Sequence, residues 1–379
     1  MKILFLDTKP IRRGAQVFLH DLSNEIIGRG HQVKKVYLYN EEGAARLELN
    51  SGDAVIGGDD AHFFEKFPTI NPSVLNRVAT IINEWKPDLI LLNGSRTLKY
   101  GAALKKIKGI TVPLVYRIID SVTFWNPHAY KQLYYRKLVM PSIAAAVGVS
   151  RASLTDVQQL HKFSKPSRVI PRAISTKNFE GVSSKESIRK RLGINEDDRV
   201  VLFLGNLTAQ KRPDRFLGAI KILKARHHNL KGWIVGDGVL REESEQLAQK
   251  LELTDAVRFW GYQSKVGDFI AASDILMLSS DTEGLPGVVL EAGFFGVPTV
   301  STNVGGIKEC LEDTVSGFIT DKSAEMLAAK ADLMLEDEDL RLKMGAAAKS
   351  KVIDSFTIER VGYQYIDFFE ELLSTCKRK

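Results

Sequence analysis

SSDTEGLPGVVLEAGFFGVPTVSTNVGG, residues 279–306, carries the pattern on which the fold turns. It continues an apolar run, DILMLSS (274–280), through a Gly-Pro loop into the apolar helical stretch GVVLEAG. It then enters a second short apolar run, PTVSTN (298–303). Strand, loop, helix and returning strand make one βαβ unit, which requires a parallel sheet. Glu283 lies in the loop and Glu291, eight residues on, inside the helix. A carboxylate on an otherwise buried helix face needs a partner, because an unpaired buried charge is costly. The helix start at Gly287, Val288 and Val289 offers unbonded backbone N–H groups and the positive end of the dipole to a phosphate.

The same alternation extends in both directions. Before it come VVLFLGNL (200–207), GWIVGDG (232–238) and VRFWGY (257–262), and after it GFIT (317–320), with helical segments between them. Further upstream lie KILFLD (2–7), HQVKKVYLY (31–39), DLILLNG (88–94), PLVYRIID (113–120), AAAVGVS (144–150) and SRVIP (167–171). They are separated by helix-length stretches such as PSVLNRVATIINEW and RASLTDVQQLHKF, the latter with Ser150 as its N-cap. Near-continuous apolar strands flanked by helices indicate parallel sheets covered on both faces. The expected fold is therefore α/β, with two Rossmann-like doubly wound domains facing each other across a cleft. Their expected extents are 1–175 and 176–350. The stretch 351–379 has Phe356, Val361, Tyr365, Phe368, Phe369 and Leu372 at helical spacing and no strand to cover, so it is expected to cross back onto the first domain. Residues 40–70, rich in Gly and Asp, read as an irregular insertion.

The 379 residues suit two domains, and 44% hydrophobic with 26% charged residues is ordinary for a globular protein. No run approaches the ~20 apolar residues of a membrane span. The apolar run Ile3–Leu6 ends at Asp7, which favours a buried strand over a secretory leader. Cys310 and Cys376 lack metal spacing and read as free thiols of a cytoplasmic protein. The net charge of +7 is uneven. Residues 1–175 hold 25 Lys and Arg against 14 Asp and Glu, and the remainder 28 against 32. This basic half is expected to meet something anionic, such as an acidic acceptor or a membrane leaflet. AYKQLYYRKLV (129–139) mixes Lys131, Arg136 and Lys137 with Tyr130, Leu133, Tyr134, Tyr135 and Leu138, as an interfacial helix would. The alternative is that these apolar groups pack on the sheet and the bases are solvated.

Three further stretches place Gly and charge at strand ends, where ligands of open α/β sheets sit. Arg12-Arg13-Gly14-Ala15 opens a helix after the first strand. GNLTAQKRPD (205–214) sets Lys211 and Arg212 before Pro213 at a helix start, two cations suited to a pyrophosphate. VGDGVL (235–240) has one Gly-x-Gly, and no full G-x-G-x-x-G occurs. An NAD-dependent oxidoreductase is therefore disfavoured, although its architecture overlaps. A basic binding module would account for the first half but not for the acidic, glycine-rich second.

The stretch EGLPGVVLE followed by AGFFGVPTV resembles the E-x7-E signature of retaining GT-B-fold transferases, specifically glycosyltransferase family four. Agreement in order and spacing extends to Gly14-Ala15-Gln16, Gly28-Arg29-Gly30-His31, Lys86-Pro87-Asp88, Gly205 through Lys211-Arg212-Pro213-Asp214, Gly236-Asp237-Gly238, Ser273-Asp274, Gly305-Gly306 with Glu309, and Gly317-Phe318. The resemblance implies a UDP- or GDP-sugar as co-substrate and no resident cofactor. The acceptor would be a glycan, a lipid-linked group or a small molecule, in cell-envelope polysaccharide synthesis, with no nucleic acid partner. Glu291 would bond the ribose hydroxyls, Glu283 the transferred sugar, and Lys211 with Arg212 the diphosphate. Gly205, Asn206, Leu285, Gly287 and Val288 would complete the donor site. Gly14 would let the first domain close over the phosphates, and Tyr262 would mark the base. The less favoured alternative on this architecture is a sugar-nucleotide epimerase.

Three positions depart from the family pattern. Gly205-Asn206 stands where Gly-Arg is usual. Arg172-Ala173-Ile174-Ser175 replaces the Asn-Gly-x-Asp turn. No histidine follows the fourth strand, so either Asp120 takes over part of its catalytic role or the step needs no side-chain base, with His128 a looser candidate. No metal site is expected, since Asp337-Glu338-Asp339 reads as a solvated helical stretch.

Overall fold

The computed structural model describes residues 1–43, 46–57, 69–122 and 128–377. Residues 44–45 and 58–68 within the expected insertion, residues 123–127 and the Cys376 side chain lie outside the described residues. The chain divides into two compact units, Met1–Ala173 with Ile358–Lys379, and Ile174–Thr357.

In the first unit the described strands are β1 (Lys2–Asp7), β2 (Gln32–Tyr37), β3 (Ala54–Val55), β4 (Leu89–Asn93), β5 (Leu114–Ile118), β6 (Ala145–Gly148) and β7 (Ser167–Val169), all parallel, in the order β3-β2-β1-β4-β5-β6-β7. The short β3 falls inside the expected irregular insertion, where two residues add an edge strand. Period-two alternation explains why the strands read as continuously apolar. Leu4, Leu6, Ile90, Leu92, Tyr116 and Ile118 pack on one face against Leu75, Val78 and Leu98. Ile3, Phe5, Leu89, Leu91 and Val115 pack on the other against Phe18, Leu22 and Ile26.

That second face is completed from the far end of the chain. The helix Ile358–Lys377 packs against the helix Gly14–Gly28 and buries Val361, Tyr365, Phe368, Phe369 and Leu372 in the same core. At ~2 kcal/mol for each buried large apolar side chain, this stripe contributes on the order of 10 kcal/mol. The segment expected to form one terminal element from 351 is in fact divided. Residues up to Ser355 finish the helix Glu338–Ser355 of the second unit, and the crossing helix starts at Ile358.

The second unit holds β8 (Arg199–Leu204), β9 (Leu230–Val235), β10 (Val257–Gly261), β11 (Ile275–Leu278), β12 (Thr299–Thr302) and β13 (Gly317–Thr320), parallel in the order β10-β9-β8-β11-β12-β13. Its helix Lys185–Leu192 is tied to the foot of the sheet by Asp274. That carboxylate takes Arg189 at 2.6 Å, Lys185 at 2.7 Å and the Val200 N–H at 2.8 Å. Burial would raise its pKa, but the two cations outweigh burial and hold it below the usual carboxylate range.

In both units the chain winds one way from the first strand and then returns to its other side. The switch falls between β1 and β4 in the first unit and between β8 and β11 in the second. In doubly wound sheets the carboxyl ends at such a switch form the ligand crevice.

Candidate functional site

In the second unit the loops leaving β8 and β11 meet at the switch. Lys211 Nζ donates to Glu283 Oε1 at 2.5 Å, and Ser280 Oγ donates to the same oxygen at 2.6 Å. Glu283 is only 7% exposed, so this carboxylate depends on those donors. The surrounding backbone is built to hold it. Gln210 accepts from the Asp281 N–H and its side chain donates to the Thr282 carbonyl, while Ser279 Oγ donates to the Lys211 and Arg212 carbonyls. From above, the Gly306 N–H donates to the Gly284 carbonyl. A side chain at Gly305 would place Cβ 1.7 Å from the Glu283 carbonyl oxygen, at φ +46°. Only glycine lets that turn pass over Glu283.

The second cation of the pair has a different position. Arg212 caps the helix Pro213–Lys224 in the left-handed region and bonds Asp214 and Asp281. Both contacts raise its pKa, led by the Asp214 hydrogen bond, so its charge is already shared between two carboxylates. Arg215, which the sequence did not single out, is buried and props the same loop. It donates to the Ser279 carbonyl at 2.5 Å and to Asp281 at 2.8 Å. Burial raises the Asp281 pKa, but Arg215 and Arg212 together bring it below the ordinary range.

The glycines directly after β8 and β9 bring the turns at these strand ends into close contact. A Cβ at Gly236 would lie 2.0 Å from the Gly205 carbonyl oxygen, and the Gly236 φ of +133° also favours glycine. This VGDGVL turn is thus a packing device. Asn206, directly after Gly205, is exposed. Tyr262 is exposed beyond β10, two strands from Lys211, following a register shift around Trp260 that packs its ring on Phe269 under Arg258. Leu285 is buried in the loop, and the helix Gly287–Phe294 starts beside it. That start has no side-chain cap and no acid in its first turn, with Gly287 buried and Val288 half-buried. Glu291 is half-buried rather than enclosed, which corrects its expected place on a buried face.

Gly14 and Asp120 belong to the first unit. Gly14 opens the helix Gly14–Gly28, and a Cβ there would lie 2.2 Å from Arg172 Nη1, so the glycine makes room for that guanidinium. Asp120 stands two residues past β5, half-buried, and accepts from the Ser121 N–H at 2.9 Å. His128 is exposed, stacks on Tyr130 and precedes the helix Ala129–Tyr134. Asp337 caps the helix Glu338–Ser355 through the Leu340 N–H, so the Asp-Glu-Asp run is capping chemistry. Among the described residues no group of three His, Cys, Asp or Glu side chains could hold a metal.

A polar network that the sequence did not reveal lies behind the first switch. Asp7 is fully buried at the end of β1 and accepts from Thr8 N–H, Gln16 Nε2 and Asn93 Nδ2. Asn93 in turn accepts from Arg117, which bonds the Tyr365 hydroxyl and lies over Phe18. Burial is the largest influence on Asp7 and pushes its pKa up to about 6 despite those donors. Only the strand order, which sequence does not display, brings residues 7, 93, 117 and 365 together.

Fold, paired switch points and the Lys211–Glu283 contact define a two-unit Rossmann-like protein of the GT-B class. The family model described as "Glycosyl transferases group 1" matches residues 184–351, and that described as "Glycosyltransferase Family 4" matches residues 12–178. The chain belongs to the glycosyltransferases of family four. It is 29% identical over 60% of its length to N-acetyl-alpha-D-glucosaminyl L-malate synthase of Bacillus anthracis, and it spans 61% of that relative. It is 25% identical over 94% of its length to the lipopolysaccharide core biosynthesis glycosyltransferase LpsD of Rhizobium meliloti, covering 95% of it. For several curated relatives the chain spans only about half of the relative's own length, 44% in the case of the D-inositol 3-phosphate glycosyltransferase of Streptomyces griseus. In fold it matches Anabaena Alr3699/HepE, solved with UDP and glucose, at a TM-score of 0.80 and 21% identity over 98% of this chain and all of that one.

Proposed function

We propose that the chain transfers a hexosyl group from a nucleoside diphosphate sugar to a hydroxyl of a cell-envelope glycan or lipid-linked acceptor, with retention at the anomeric carbon. The carrying observation is the Lys211–Glu283 contact at the switch between β8 and β11, beside an uncapped helix start. Lys211 holds the diphosphate and stabilises the negative charge that grows as the C1–O bond to it breaks. The helix start at Gly287 and Val288 receives the same phosphates, and Arg212, shared with two carboxylates, acts more as a loop brace. Glu283 bonds the sugar, and Glu291 bonds the ribose hydroxyls from its half-buried position. Gly205, Asn206 and Leu285 shape the floor, and Tyr262 marks the base. In the first unit Gly14 lets the backbone approach the phosphates, and Asp120 orients the acceptor hydroxyl.

The acceptor oxygen attacks C1 on the face the diphosphate leaves, and its proton passes to the departing phosphate oxygen. The alpha-glucosaminyl group in the Bacillus anthracis relative's name supports retention if the donor here is an α-linked nucleoside diphosphate sugar. The UDP bound by Alr3699/HepE and the lipopolysaccharide role of LpsD support the donor and the envelope acceptor. In this reading protein groups alone meet the diphosphate charge, so no metal is assigned a role.

The finer reading of location is peripheral attachment at the cytoplasmic face of a membrane. Among the described residues no helix is long and apolar enough to cross one. The helix Ala129–Tyr134 runs into a π-helical turn, Tyr135–Val139. Tyr135 and Val139 turn inward, while Tyr130 is 69% exposed, Leu133 54% and Leu138 51%. Exposed Lys131, Arg136 and Lys137 accompany them, and the adjoining helix Ser95–Lys108 ends in Lys106, Ile107 and Lys108, also exposed. Apolar groups ringed by bases suit an anionic leaflet.

A thermal-shift screen of UDP, GDP and ADP with their sugars tests the donor, followed by nucleoside diphosphate release from the best of them. Stabilisation by one nucleotide and release that survives EDTA are expected. Loss on chelation with recovery on manganese would overturn the metal-free reading.

A further inference from the structure

The switch point of the first unit holds a pocket of about 480 Å³, lined by Thr8, Lys9, Ile11, Arg13, Gln16, Glu41 and Arg96. These residues are brought together by topology. Thr8, Lys9, Ile11 and Arg13 come from the loop after β1. Gln16 comes from the first turn of the helix Gly14–Gly28, and Arg96 from the first turn of the helix that follows β4. β1 and β4 are neighbours across the point where the winding reverses. The pocket therefore occupies the place where a doubly wound sheet receives its ligand.

The lining has a definite charge character. Three cations, Lys9, Arg13 and Arg96, face one carboxylate, Glu41, which accepts from Lys9 at 3.1 Å. The helix Gly14–Gly28 begins with no side-chain cap and no acid in its first turn, so its positive end adds to theirs. The parts are held in place. Arg96 lies over the Tyr39 ring with its guanidinium carbon 5.6 Å from the centroid, Gln16 is anchored on buried Asp7, and the loop is tied across by the Leu47 N–H to the Pro10 carbonyl. Two guanidinium forks and an ammonium are the donors that match a phosphate or carboxylate group.

We propose that this pocket binds an anionic substituent of the acceptor, a phosphate or carboxylate on the molecule whose hydroxyl is glycosylated. This rests on the glycosyltransferase reading and names its acceptor class as anionic. Glu41 acts as a gate on the site, since it holds Lys9 until a stronger anion displaces it.

The test uses the full chain with UDP in excess, which fills the donor site, and follows titration by inorganic phosphate, glycerol 3-phosphate, succinate and glycerol through chemical-shift changes. The phosphate compounds or succinate are expected to bind and glycerol not to bind; which of the two binds more tightly identifies phosphate or carboxylate as the group. Arg13→Gln with Arg96→Gln should weaken that binding by about tenfold or more, the scale of losing charge-assisted contacts. Glu41→Gln should tighten it, an effect opposite in sign that misfolding would not produce. Arg96→Lys, which keeps the charge, should retain part of the affinity. Equal binding by the wild type and the double variant, or binding by none of the anions, overturns the proposal. UDP affinity, measured separately on the same proteins, reads the donor assignment, so failure of one is distinguishable from failure of the other.

Discussion

At the switch of the second unit a lysine and a glutamate meet at 2.5 Å, and at the switch of the first, three cations and one glutamate surround a pocket of about 480 Å³. The topology is the same, and the treatment of charge differs. In the second unit the three cations placed near the crevice already have carboxylates. Lys211 pairs with Glu283, and Arg212 and Arg215 both pair with Asp281. An anion entering there exchanges partners with charges that are already positioned, which suits a group that must be gripped more tightly as charge develops. In the first unit the lining sets three cations and one carboxylate around the pocket, a composition that suits holding a permanent anion. A parallel sheet supplies the crevice; the loop residues decide what it does.

Lys211→Ala should produce the largest effect on that contrast. Turnover is expected to fall by ~10²–10³-fold, the scale for removing a stabiliser of developing charge. The substitution also leaves buried Glu283 without its cation, which by itself costs ~3 kcal/mol of stability. Lys211→Ala with Glu283→Gln therefore serves as the control, and thermal denaturation of both should accompany the kinetics. Near-normal turnover in a well-folded Lys211→Ala protein would remove the distinction between the two crevices. Glu291→Ala should instead weaken UDP binding and leave turnover at saturating donor nearly intact.

How much of this was legible in the sequence differs between the units for a physical reason. The strands read clearly because both faces of each sheet are covered, so the middle of most strands is a run of apolar residues. Lys211 and Glu283 stand in compact motifs whose spacing survives in one dimension. The first pocket is assembled from positions 8 to 96 by strand order, and of its lining the sequence patterns mark only Arg13 and Gln16, beside Gly14. Arg215 was hidden because a buried arginine and a solvated one look alike in sequence. The reading of Glu291 as enclosed went wrong for the converse reason. An apolar helix does not say which side of it a neighbour covers.

Two aspartates sharpen the comparison next. Asp7, behind the first pocket, has its carboxyl raised to about 6, whereas Asp281 in the second unit is held low by its arginines. The signs are opposite. A raised folded pKa gives a contribution fully present below the unfolded value, near 4, and lost as pH rises to about 6. A depressed one is present above the unfolded value and lost as pH falls through the folded value. Ionising Asp7 should therefore cost up to ~3 kcal/mol between about pH 4 and 6. Asp7→Asn should flatten the stability profile in that window, measured by urea unfolding at several pH values. The slopes are the quantity to compare, because the new amide must also rearrange its bond to Asn93. An unchanged slope would show that Asp7 is already ionised in the fold, its donors outweighing burial.

The smallest expected effect separates two kinds of anion contact within the first unit. The pocket at the switch takes a single small group, while the surface of residues 129–139 presents Lys131, Arg136 and Lys137 among exposed Tyr130, Leu133 and Leu138. Each cation close to an anionic leaflet is worth about 1 kcal/mol, and the Debye length at physiological salt is only ~8 Å. A handful of bases therefore gives reversible, salt-sensitive attachment. In sedimentation with vesicles, the protein is expected to bind those containing anionic lipid and to release as salt rises. Leu133→Ser with Leu138→Ser should weaken that binding several-fold, since each exposed leucine withdraws apolar area from water on insertion. The same pair should leave phosphate binding at the pocket unchanged, because neither leucine lines it. Equal partition onto neutral and anionic vesicles, or none onto either, would show that the exposed apolar groups of this helix serve something other than a charged membrane.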